Sequence, residues 1–219
     1  TAKWMAAKVS VPVAIHLDHG DSFERCMEML KLGFTSIMFD GSALPVEENA
    51  AATEAVARVC RSFGVPLEAE IGELCRLDDK GNKMGASNIA DPDVVRQYLK
   101  LCHPDSLAIG IGNAHGFYNG PVDIRAEVLE ECRKFTDIPF VLHGCTGMDE
   151  ELVKRSIDSG VTKINFGTQV RCQYVNYLKE GLAEGKDQGH AWRLSQYAEL
   201  RLREDIKDII RLAGSQEKA

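Results

Sequence analysis

Short apolar runs rich in β-branched residues alternate along the chain with longer amphipathic stretches. Runs of this kind predict buried strands, and apolar residues at helical spacing predict helices between them. The predicted strands are 11–17, 35–39, 66–71, 106–111, 139–142 and 162–166. The predicted helices are 22–32, 46–63, 93–102, 124–134 and 149–159, and residues 169–219 are predicted to form C-terminal helices with a frayed end.

Boundary residues support these elements. Asp91 and Pro92 form an acidic cap and a first-turn proline, while Gly33 and Gly64 follow the ends of two other helices. Successive strands lie about 30 residues apart, the usual length of a β/α unit. Apolar strands separated by helices predict a parallel sheet covered on both faces. Since the composition does not change along the chain, residues 1–219 are predicted to form a single α/β domain.

Composition and charge exclude several classes of function. The 219 residues include 26 Lys and Arg and 33 Asp and Glu, which gives a net charge of −7, and the sequence contains no basic run. This balance argues against nucleic acid or an anionic membrane surface as a partner. No apolar stretch is long enough to span a bilayer. The seven cysteines are scattered and never form Cys-x-x-Cys, which is typical of reduced thiols, so we expect a cytoplasmic protein.

Polar residues collect where the predicted strands end, which is where parallel α/β folds place their functional groups. Histidine follows three strands, at His19, His115 and His143. Carboxylates accompany them: Asp18 precedes His19 at the end of the first strand, Asp40 follows the second strand, and Glu70 lies near the end of the third. One histidine at a strand end is commonly a hydrogen-bonded structural residue, but three on one rim predict a metal site. Three imidazoles that leave a fourth position open are typical of catalytic zinc.

The other histidines are predicted to lie outside this site. Because side chains alternate along a strand, His16 should point with Asp18 and away from His19. A buried, hydrogen-bonded imidazole is the preferred interpretation of His16, and orientation of Asp18 is the alternative. His103 at a helix end and His190 in a glycine-rich loop are predicted to be structural or solvated.

Glycines and hydroxyls after the last two strands indicate an anion site. The residues concerned are Gly144, Thr146, Gly147, Asn165, Gly167 and Thr168. Small residues there let backbone N–H groups approach a phosphate, and eight-stranded barrels commonly bind phosphate in these loops. Ordinary strand-to-helix turns are the alternative interpretation.

Six short segments, in this order and at these separations, resemble the class II, zinc-dependent ketose-bisphosphate aldolases. The segments are HLDHG (16–20), MFDGS (38–42), EAEIG (68–72), GNAHGFY (112–118), LHGCTG (142–147) and KINFGT (163–168). The resemblance covers about residues 8–180 and includes the fructose- and tagatose-1,6-bisphosphate enzymes. It implies a (β/α)8 TIM barrel, a role in carbohydrate metabolism such as glycolysis, and a homodimer or homotetramer.

The resemblance also implies roles for individual residues. Three histidines would bind the catalytic zinc: His19, His115 and His143. Asp18 would exchange a proton with the C4 hydroxyl, and Asp40 and Glu70 match a second or alternative position for a divalent or monovalent cation. The segments that would hold dihydroxyacetone phosphate contain Gly116, Gly144, Cys145, Thr146, Asn165, Phe166, Gly167 and Thr168.

The chain departs from the family pattern in three places. Residues 144–147 read Gly-Cys-Thr-Gly where the family usually has Gly-Gly-Ser-Gly, so threonine keeps the hydroxyl. The loop at 78–91 is expected to be mobile, and Asp78 or Asp79 could handle the C3 proton. Only six of eight β/α units are visible, whereas a barrel typically needs about 250 residues, so we expect that two N-terminal units are missing.

The preferred hypothesis is therefore reversible, metal-dependent aldol cleavage of a ketose 1,6-bisphosphate, either fructose or tagatose. The products would be dihydroxyacetone phosphate and glyceraldehyde 3-phosphate. Another phosphorylated ketose is a close variant. Two further hypotheses stay open: a non-catalytic or incomplete zinc-binding relative, and a metal-dependent hydrolase on the same barrel.

Overall fold

The fold is that of a computed structural model, which describes residues 1–72, 89–116 and 123–218 in full and residues 75–77 and 83–84 by their backbone. The strands are β1 (His16–Gly20), β2 (Ser36–Phe39), β3 (Leu67–Ile71), β4 (Cys75–Leu77), β5 (Lys83–Met84), β6 (Ser106–Ile109), β7 (Ala114–His115), β8 (Phe140–Leu142) and β9 (Val161–Ile164). The helices are α1 (Ala2–Ala6), α2 (Phe23–Lys31), α3 (Val46–Phe63), α4 (Pro92–Leu101), α5 (Glu127–Arg133), α6 (Glu150–Asp158), α7 (Thr168–Ala183) and α8 (Ala191–Leu212).

Six strands form one parallel sheet in the order β1-β2-β3-β6-β8-β9, which confirms the predicted α/β class and its six strands. The sheet curves into an open half-barrel. On its edge strands β1 and β9, the His16 Nε2 and Lys163 Nζ atoms are only 3.3 Å apart. A small second sheet, in the order β5-β4-β7, was not predicted. It occupies part of the predicted mobile loop 78–91, most of which lies outside the described residues.

The first strand begins later than predicted. Residues 11–15 are not strand, and β1 starts only at His16. Pro12 has no N–H to donate to a ladder, and the side chains of Val11 and Val13 are about half exposed. The apolar side chains of this segment predicted a strand from the sequence. The backbone does not form one here, because Val11 and Val13 do not pack against a buried surface.

Local caps explain why the helices begin where they do. Ser22 accepts a hydrogen bond from the Arg25 N–H at the start of α2, and Asp91 accepts one from Asp93 at the start of α4. Gly64 ends α3 in the left-handed conformation (φ 67°). The Ser22 and Asp91 side chains satisfy N–H groups in the first turns, which have no partner inside a helix. Among the described residues, no helix is both long and apolar enough to cross a membrane.

The two faces of the main sheet have different chemistry. The face that packs against the helices is apolar, with Ile37, Leu67, Leu107, Phe140 and Leu142 all buried. The concave face carries a small apolar cluster of Met38, Ala108 and Val141. Polar side chains from the same strands share the concave face: His16, Ser36, Glu68, Glu70, His143 and Lys163. The candidate site lies above this polar interior.

Candidate metal centre and substrate cleft

A β-bulge at the end of β1 turns Asp18 and His19 toward the same cleft. Leu17 pairs with Ile37 and Gly20 with Phe39, so β1 has one more residue than β2 over this interval. His19 takes a positive φ of 51°, which costs a non-glycine residue about 1 kcal/mol or more. Simple alternation, which would place Asp18 and His19 on opposite faces, therefore fails here. The His19 Nε2 atom lies 4.0 Å from Asp18 Oδ1.

The three predicted histidines converge. Ring centroids are 5.1 Å apart for His19 and His115, 4.8 Å for His19 and His143, and 5.9 Å for His115 and His143. One ligand atom from each lies within 4.8 Å of the others. In the described part of the chain, nothing hydrogen-bonds to the buried Nε2 of His19. A buried ring nitrogen in a cluster of imidazoles fits a borderline-soft divalent cation such as Zn²⁺.

Asp40 orients the His19 ring. Its Oδ2 atom lies 2.8 Å from His19 Nδ1, and because a carboxylate can only accept, Nδ1 carries the proton and Nε2 is left for a metal. Burial opposes the charge of His19, but Asp40, Glu70 and Asp18 outweigh it, so the pKa of His19 is raised. Burial is likewise overcome at Asp40, where hydrogen bonds from His19 and Ser42 lower the pKa to about 2.

His143 is held from both sides. Its Nε2 atom lies 2.9 Å from Glu68 Oε1, and its Nδ1 atom lies 3.1 Å from the amide nitrogen of Asn165. Its carbonyl oxygen accepts a 2.7 Å hydrogen bond from Asn113, which also bonds to the Ile111 N–H. The side chain is fully buried. The end of β8 is thus tied to the loop that carries His115.

Asp18 has the position of an acid or base beside the metal ligands. Its Oδ1 atom is 4.0 Å from His143 Nδ1 and 3.3 Å from the Asn165 amide nitrogen. The side chain is more than half exposed to the cleft. The Asp18 carboxylate therefore lies beside the imidazole cluster and is open to a molecule in the cleft.

Glu70 and Asp40 form a second group of possible ligands with His19. One atom from each residue lies within 4.8 Å of the others, and His19 Nδ1 is 3.6 Å from Glu70 Oε2. The Glu70 backbone is fixed from behind, where its carbonyl accepts a 2.9 Å hydrogen bond from buried Asn49. The structure thus brings both predicted carboxylates to the metal centre, although Asp40 already accepts the His19 proton.

An open cleft of about 660 Å³ surrounds these groups. Several predicted substrate residues line it, namely Gly116, Gly144, Thr146, Asn165, Gly167 and Thr168. Cys145 and Phe166 do not, because their side chains pack in the core behind the loops. Burial also raises the pKa of the Cys145 thiol to about 12, so the thiol is unreactive. These two residues can offer only backbone groups to a ligand.

The start of helix α7 adds anion-binding features to the cleft. Thr146 Oγ1 accepts a 3.1 Å hydrogen bond from the Gln169 N–H in the first turn of this helix. The Arg171 guanidinium lines the cleft and donates a 3.3 Å hydrogen bond to Thr168 Oγ1. N–H groups at a helix start and a guanidinium are both suited to phosphate.

Several contributing residues were missed by the sequence argument. Asp21, Ala43 and Arg171 line the cleft without belonging to a predicted motif, and Ser42, which lies in the segment 38–42, was given no role. Glu68 and Lys163 lie beneath it, with Lys163 Nζ 2.7 Å from Glu68 Oε2. Period-two alternation places Glu68 on the face of Glu70 and Lys163 on the face of Asn165, but it does not predict that Glu68 and Lys163 meet.

The remaining histidines behave as structural residues. His16 is largely buried, and its Nδ1 atom is 2.7 Å from Ser36 Oγ. Burial, reinforced by Lys163, lowers the pKa of His16. His103 bonds to Glu54 outside the cleft, and His190 precedes α8. The prediction that none of them belongs to the metal cluster agrees with this geometry.

Converging imidazoles and carboxylates at the carboxyl ends of parallel strands form a candidate metal site on a parallel α/β half-barrel. The model of the family described as "Fructose-bisphosphate aldolase class-II" matches residues 1–218. The chain belongs to the class II fructose-bisphosphate aldolase family, which confirms the resemblance seen in the sequence.

Relatives and solved structures agree with this membership. A probable fructose-bisphosphate aldolase of Bacillus subtilis (strain 168) is 37% identical over 97% of this chain and 74% of that protein. A 6-phospho-5-dehydro-2-deoxy-D-gluconate aldolase of Bacillus velezensis is 39% identical over 82% of this chain, and the match spans 61% of that relative. The YdjI aldolase structure from Escherichia coli K12 has a TM-score of 0.84 at 30% identity, covering 99% of this chain and 74% of that one.

Proposed function

We propose that the protein catalyses reversible, metal-dependent aldol cleavage of a ketose 1,6-bisphosphate, either fructose or tagatose, to dihydroxyacetone phosphate and glyceraldehyde 3-phosphate. The observation that carries the proposal is the convergence of three histidines with Asp18 held 4.0 Å from two of their ring nitrogens. Membership of the class II aldolase family supports the same reaction class.

His19, His115 and His143 would hold the cation, which we propose to be zinc. Once bound, the ion would supply a Lewis acid that stabilises the negative charge left on the ketone fragment by carbon–carbon bond cleavage. Asp40 keeps the proton of His19 on Nδ1 and its Nε2 atom available. Asp40 and Glu70 would also provide an alternative cation position beside His19.

Asp18 would take the C4 hydroxyl proton as the bond breaks and return it in the condensation direction. Its exposure to the cleft lets it reach a substrate, and a carboxylate side chain can serve as the base that this step needs. Asn165 donates toward Asp18 at 3.3 Å and so limits the orientations of the carboxylate. Asp78 and Asp79, proposed for the C3 proton, lie outside the described residues.

The phosphate of the ketone half would bind between the loops after β8 and β9. Gly144 and Thr146 come from one loop, while Gly167 and Thr168 come from the other, at the start of α7. Backbone N–H groups, the two hydroxyls and the Arg171 guanidinium would supply the donors. Cys145 and Phe166 would contribute through their backbone.

A second substrate is favoured by the Bacillus velezensis relative, named as a 6-phospho-5-dehydro-2-deoxy-D-gluconate aldolase. Cleaving that molecule beside its ketone also releases dihydroxyacetone phosphate, but the other product is a three-carbon aldehyde with a carboxylate. The two candidates therefore share the half of the substrate that binds the metal and the phosphate loops. They differ only in the aldehyde half.

Finer features of the assembly belong to the same proposal. The half-barrel would be part of a (β/α)8 barrel formed by a single domain, and the protein would act as a homodimer or homotetramer. A reducing compartment such as the cytoplasm suits it, because every cysteine in the described set is free: Cys26, Cys60, Cys102, Cys132, Cys145 and Cys172.

The test is a direct comparison of substrates. Zinc-loaded protein is offered each of the three ketoses, and dihydroxyacetone phosphate is detected by coupled reduction with NADH. We expect release from a 1,6-bisphosphate that a chelator abolishes and zinc restores. Release of dihydroxyacetone phosphate from the deoxygluconate alone would show that this compound, and not a ketose 1,6-bisphosphate, is the substrate. Activity that a chelator does not change would refute the metal-dependent mechanism. Bound zinc without cleavage would favour a non-catalytic relative, and ester or amide hydrolysis without aldol products would favour a hydrolase.

A further inference from the structure

A chain of five polar side chains crosses the concave interior beneath the metal centre. His143 Nε2 lies 2.9 Å from Glu68 Oε1, and Glu68 Oε2 lies 2.7 Å from Lys163 Nζ. Lys163 Nζ is 3.3 Å from His16 Nε2, and His16 Nδ1 is 2.7 Å from Ser36 Oγ. Four of these residues lie on β1, β2, β3 and β9, and His143 directly follows β8, so the chain links the two edges of the sheet.

Glu68 decides which nitrogen of His143 is available to the cleft. Its carboxylate can only accept, so the proton of the neutral His143 ring lies on Nε2 and the lone pair on Nδ1. Nδ1 is the atom on the cleft side, where it lies 3.1 Å from the Asn165 amide nitrogen and 4.0 Å from Asp18 Oδ1. A carboxylate bonded to the far nitrogen of an imidazole fixes the ring and makes it a better ligand.

The position of Glu68 is enforced rather than incidental. Its side chain is 3% exposed, and a buried carboxylate is costly unless both oxygens are satisfied. His143 satisfies one oxygen and the ammonium of Lys163 the other, so the Glu68 side chain cannot turn away without losing a buried hydrogen bond. Lys163 is in turn directed by His16 on the opposite edge strand.

We propose that Glu68 is a positioning residue that holds His143 with Nδ1 toward the metal centre, and that Lys163 anchors Glu68 in this role. The inference rests on the proposed function only for the presence of a metal. It concerns metal affinity and the coordination environment, which can be measured without any turnover.

The experiment measures Zn²⁺ affinity by competition with a chromophoric chelator, and the visible absorption of the Co²⁺-loaded protein, in wild type and variants. We expect Glu68→Ala to weaken Zn²⁺ binding by about 10- to 100-fold and to change the Co²⁺ spectrum. Glu68→Gln should recover part of the affinity, because its amide oxygen can still accept from Nε2. Ser36→Ala, at the far end of the same chain, is the matched control and should bind as wild type does.

A double variant separates positioning from stability. Removing one member of a buried ion pair destabilises strongly, whereas replacing both with neutral residues is close to neutral. Glu68→Gln combined with Lys163→Met should therefore unfold in urea near the wild-type midpoint and still bind Zn²⁺ less tightly.

Each outcome separates this inference from the proposed function. Wild-type affinity and spectrum in folded Glu68→Ala and in the double variant would overturn the inference and leave the aldolase proposal standing. Weakened binding in these variants, in a protein whose wild type cleaves no ketose, would support the inference and overturn the aldolase. Absence of Zn²⁺ binding in wild type would overturn both.

Discussion

Gly144 follows the metal-site residue His143 and lies against the backbone next to His115. Its φ is +66°, and a Cβ added there would lie 2.3 Å from the Ala114 carbonyl oxygen and 2.7 Å from the Ala114 carbonyl carbon. Both neighbours are backbone atoms, which cannot rotate away as a side-chain end can. Gly144→Ala should therefore displace the loop after β8, the start of β7, or both.

Gly147 in the same loop allows the cost of a left-handed alanine to be separated from the cost of the steric contact. It also has a positive φ, +75°, but a Cβ there would meet no atom of the described residues within 4 Å. Gly147→Ala should lose only the left-handed penalty, about 1 kcal/mol. Gly144→Ala has the same penalty plus a contact that must open by about 1 Å to reach ordinary separation, so we expect a total loss of about 3 kcal/mol.

The metal centre makes the difference visible in a second measurement. Urea unfolding of the metal-free proteins gives the stabilities, and chelator competition gives the Zn²⁺ affinities. Because a displacement of about 1 Å in a site can cost about 100-fold, Gly144→Ala should bind Zn²⁺ much more weakly while Gly147→Ala binds as wild type does. Equal stability losses together with unchanged affinity in both variants would refute the reasoning.

Four further expectations follow from the site. Asp18→Asn should lower aldol turnover by about 10²- to 10⁴-fold, because it removes the proposed base. It should leave Zn²⁺ affinity nearly unchanged, because Asp18 lies 4.0 Å from the ring nitrogens of His19 and His143 and is not one of the proposed ligands. Turnover near that of the wild type would contradict the role of Asp18. The pKa of Asp40 is depressed from 3.8 to about 2, so its stabilisation of about 2 kcal/mol is present above pH 4 and is lost as the pH falls toward 2. Asp40→Asn should therefore be less stable than metal-free wild type at pH 6, with a gap in urea unfolding that narrows toward pH 3; a constant gap would argue against the shift. In the native protein at pH 8, iodoacetamide should leave five buried cysteines unmodified when the protein is analysed by mass spectrometry: Cys26, Cys60, Cys102, Cys132 and Cys145. Labelling of these cysteines at the rate of an exposed thiol would show that the core opens. Chelation should abolish binding of dihydroxyacetone phosphate, measured by calorimetry, as well as turnover, and unchanged binding by the metal-free protein would contradict this.

Alternation of apolar strands and amphipathic helices was sufficient to predict the parallel sheet, because each strand packs its helix-facing side chains in a continuous core. Alternation of side chains within a strand failed as a guide at β1, because the bulge and the positive φ of His19 depend on pairing with β2. A bulge depends on how two strands align, and a single strand's sequence does not contain that alignment. The predicted strand at residues 11–15 failed for a related reason, because Val11 and Val13 are exposed and apolarity alone does not supply a packing partner.

The convergence of the three histidines could be predicted, whereas their supporting partners could not. Strand ends in a parallel sheet meet at one rim, which brings His19 and His143 together, and His115 follows the strand β6 between them, although it lies on the unpredicted strand β7. The pairing of Glu68 with Lys163 joins residues 95 positions apart on strands that are not neighbours. That contact depends on the curvature of the sheet, which sets the distance across its concave face.

The electrostatics of the cleft explain why a metal suits this site better than cationic side chains alone. Four carboxylates line the cleft, from Asp18, Asp21, Asp40 and Glu70, and in the described ranges Arg171 is the lining residue with a fixed positive charge. A phosphorylated sugar entering this cleft meets net repulsion, in line with the overall charge of −7. In the proposed function, a divalent ion held by the three imidazoles would offset two of those charges beside the proposed binding place of the ketone. The carboxylates that would raise affinity for the cation would then make binding of an anionic substrate depend on it, so we expect substrate affinity and turnover to be coupled to the same ion.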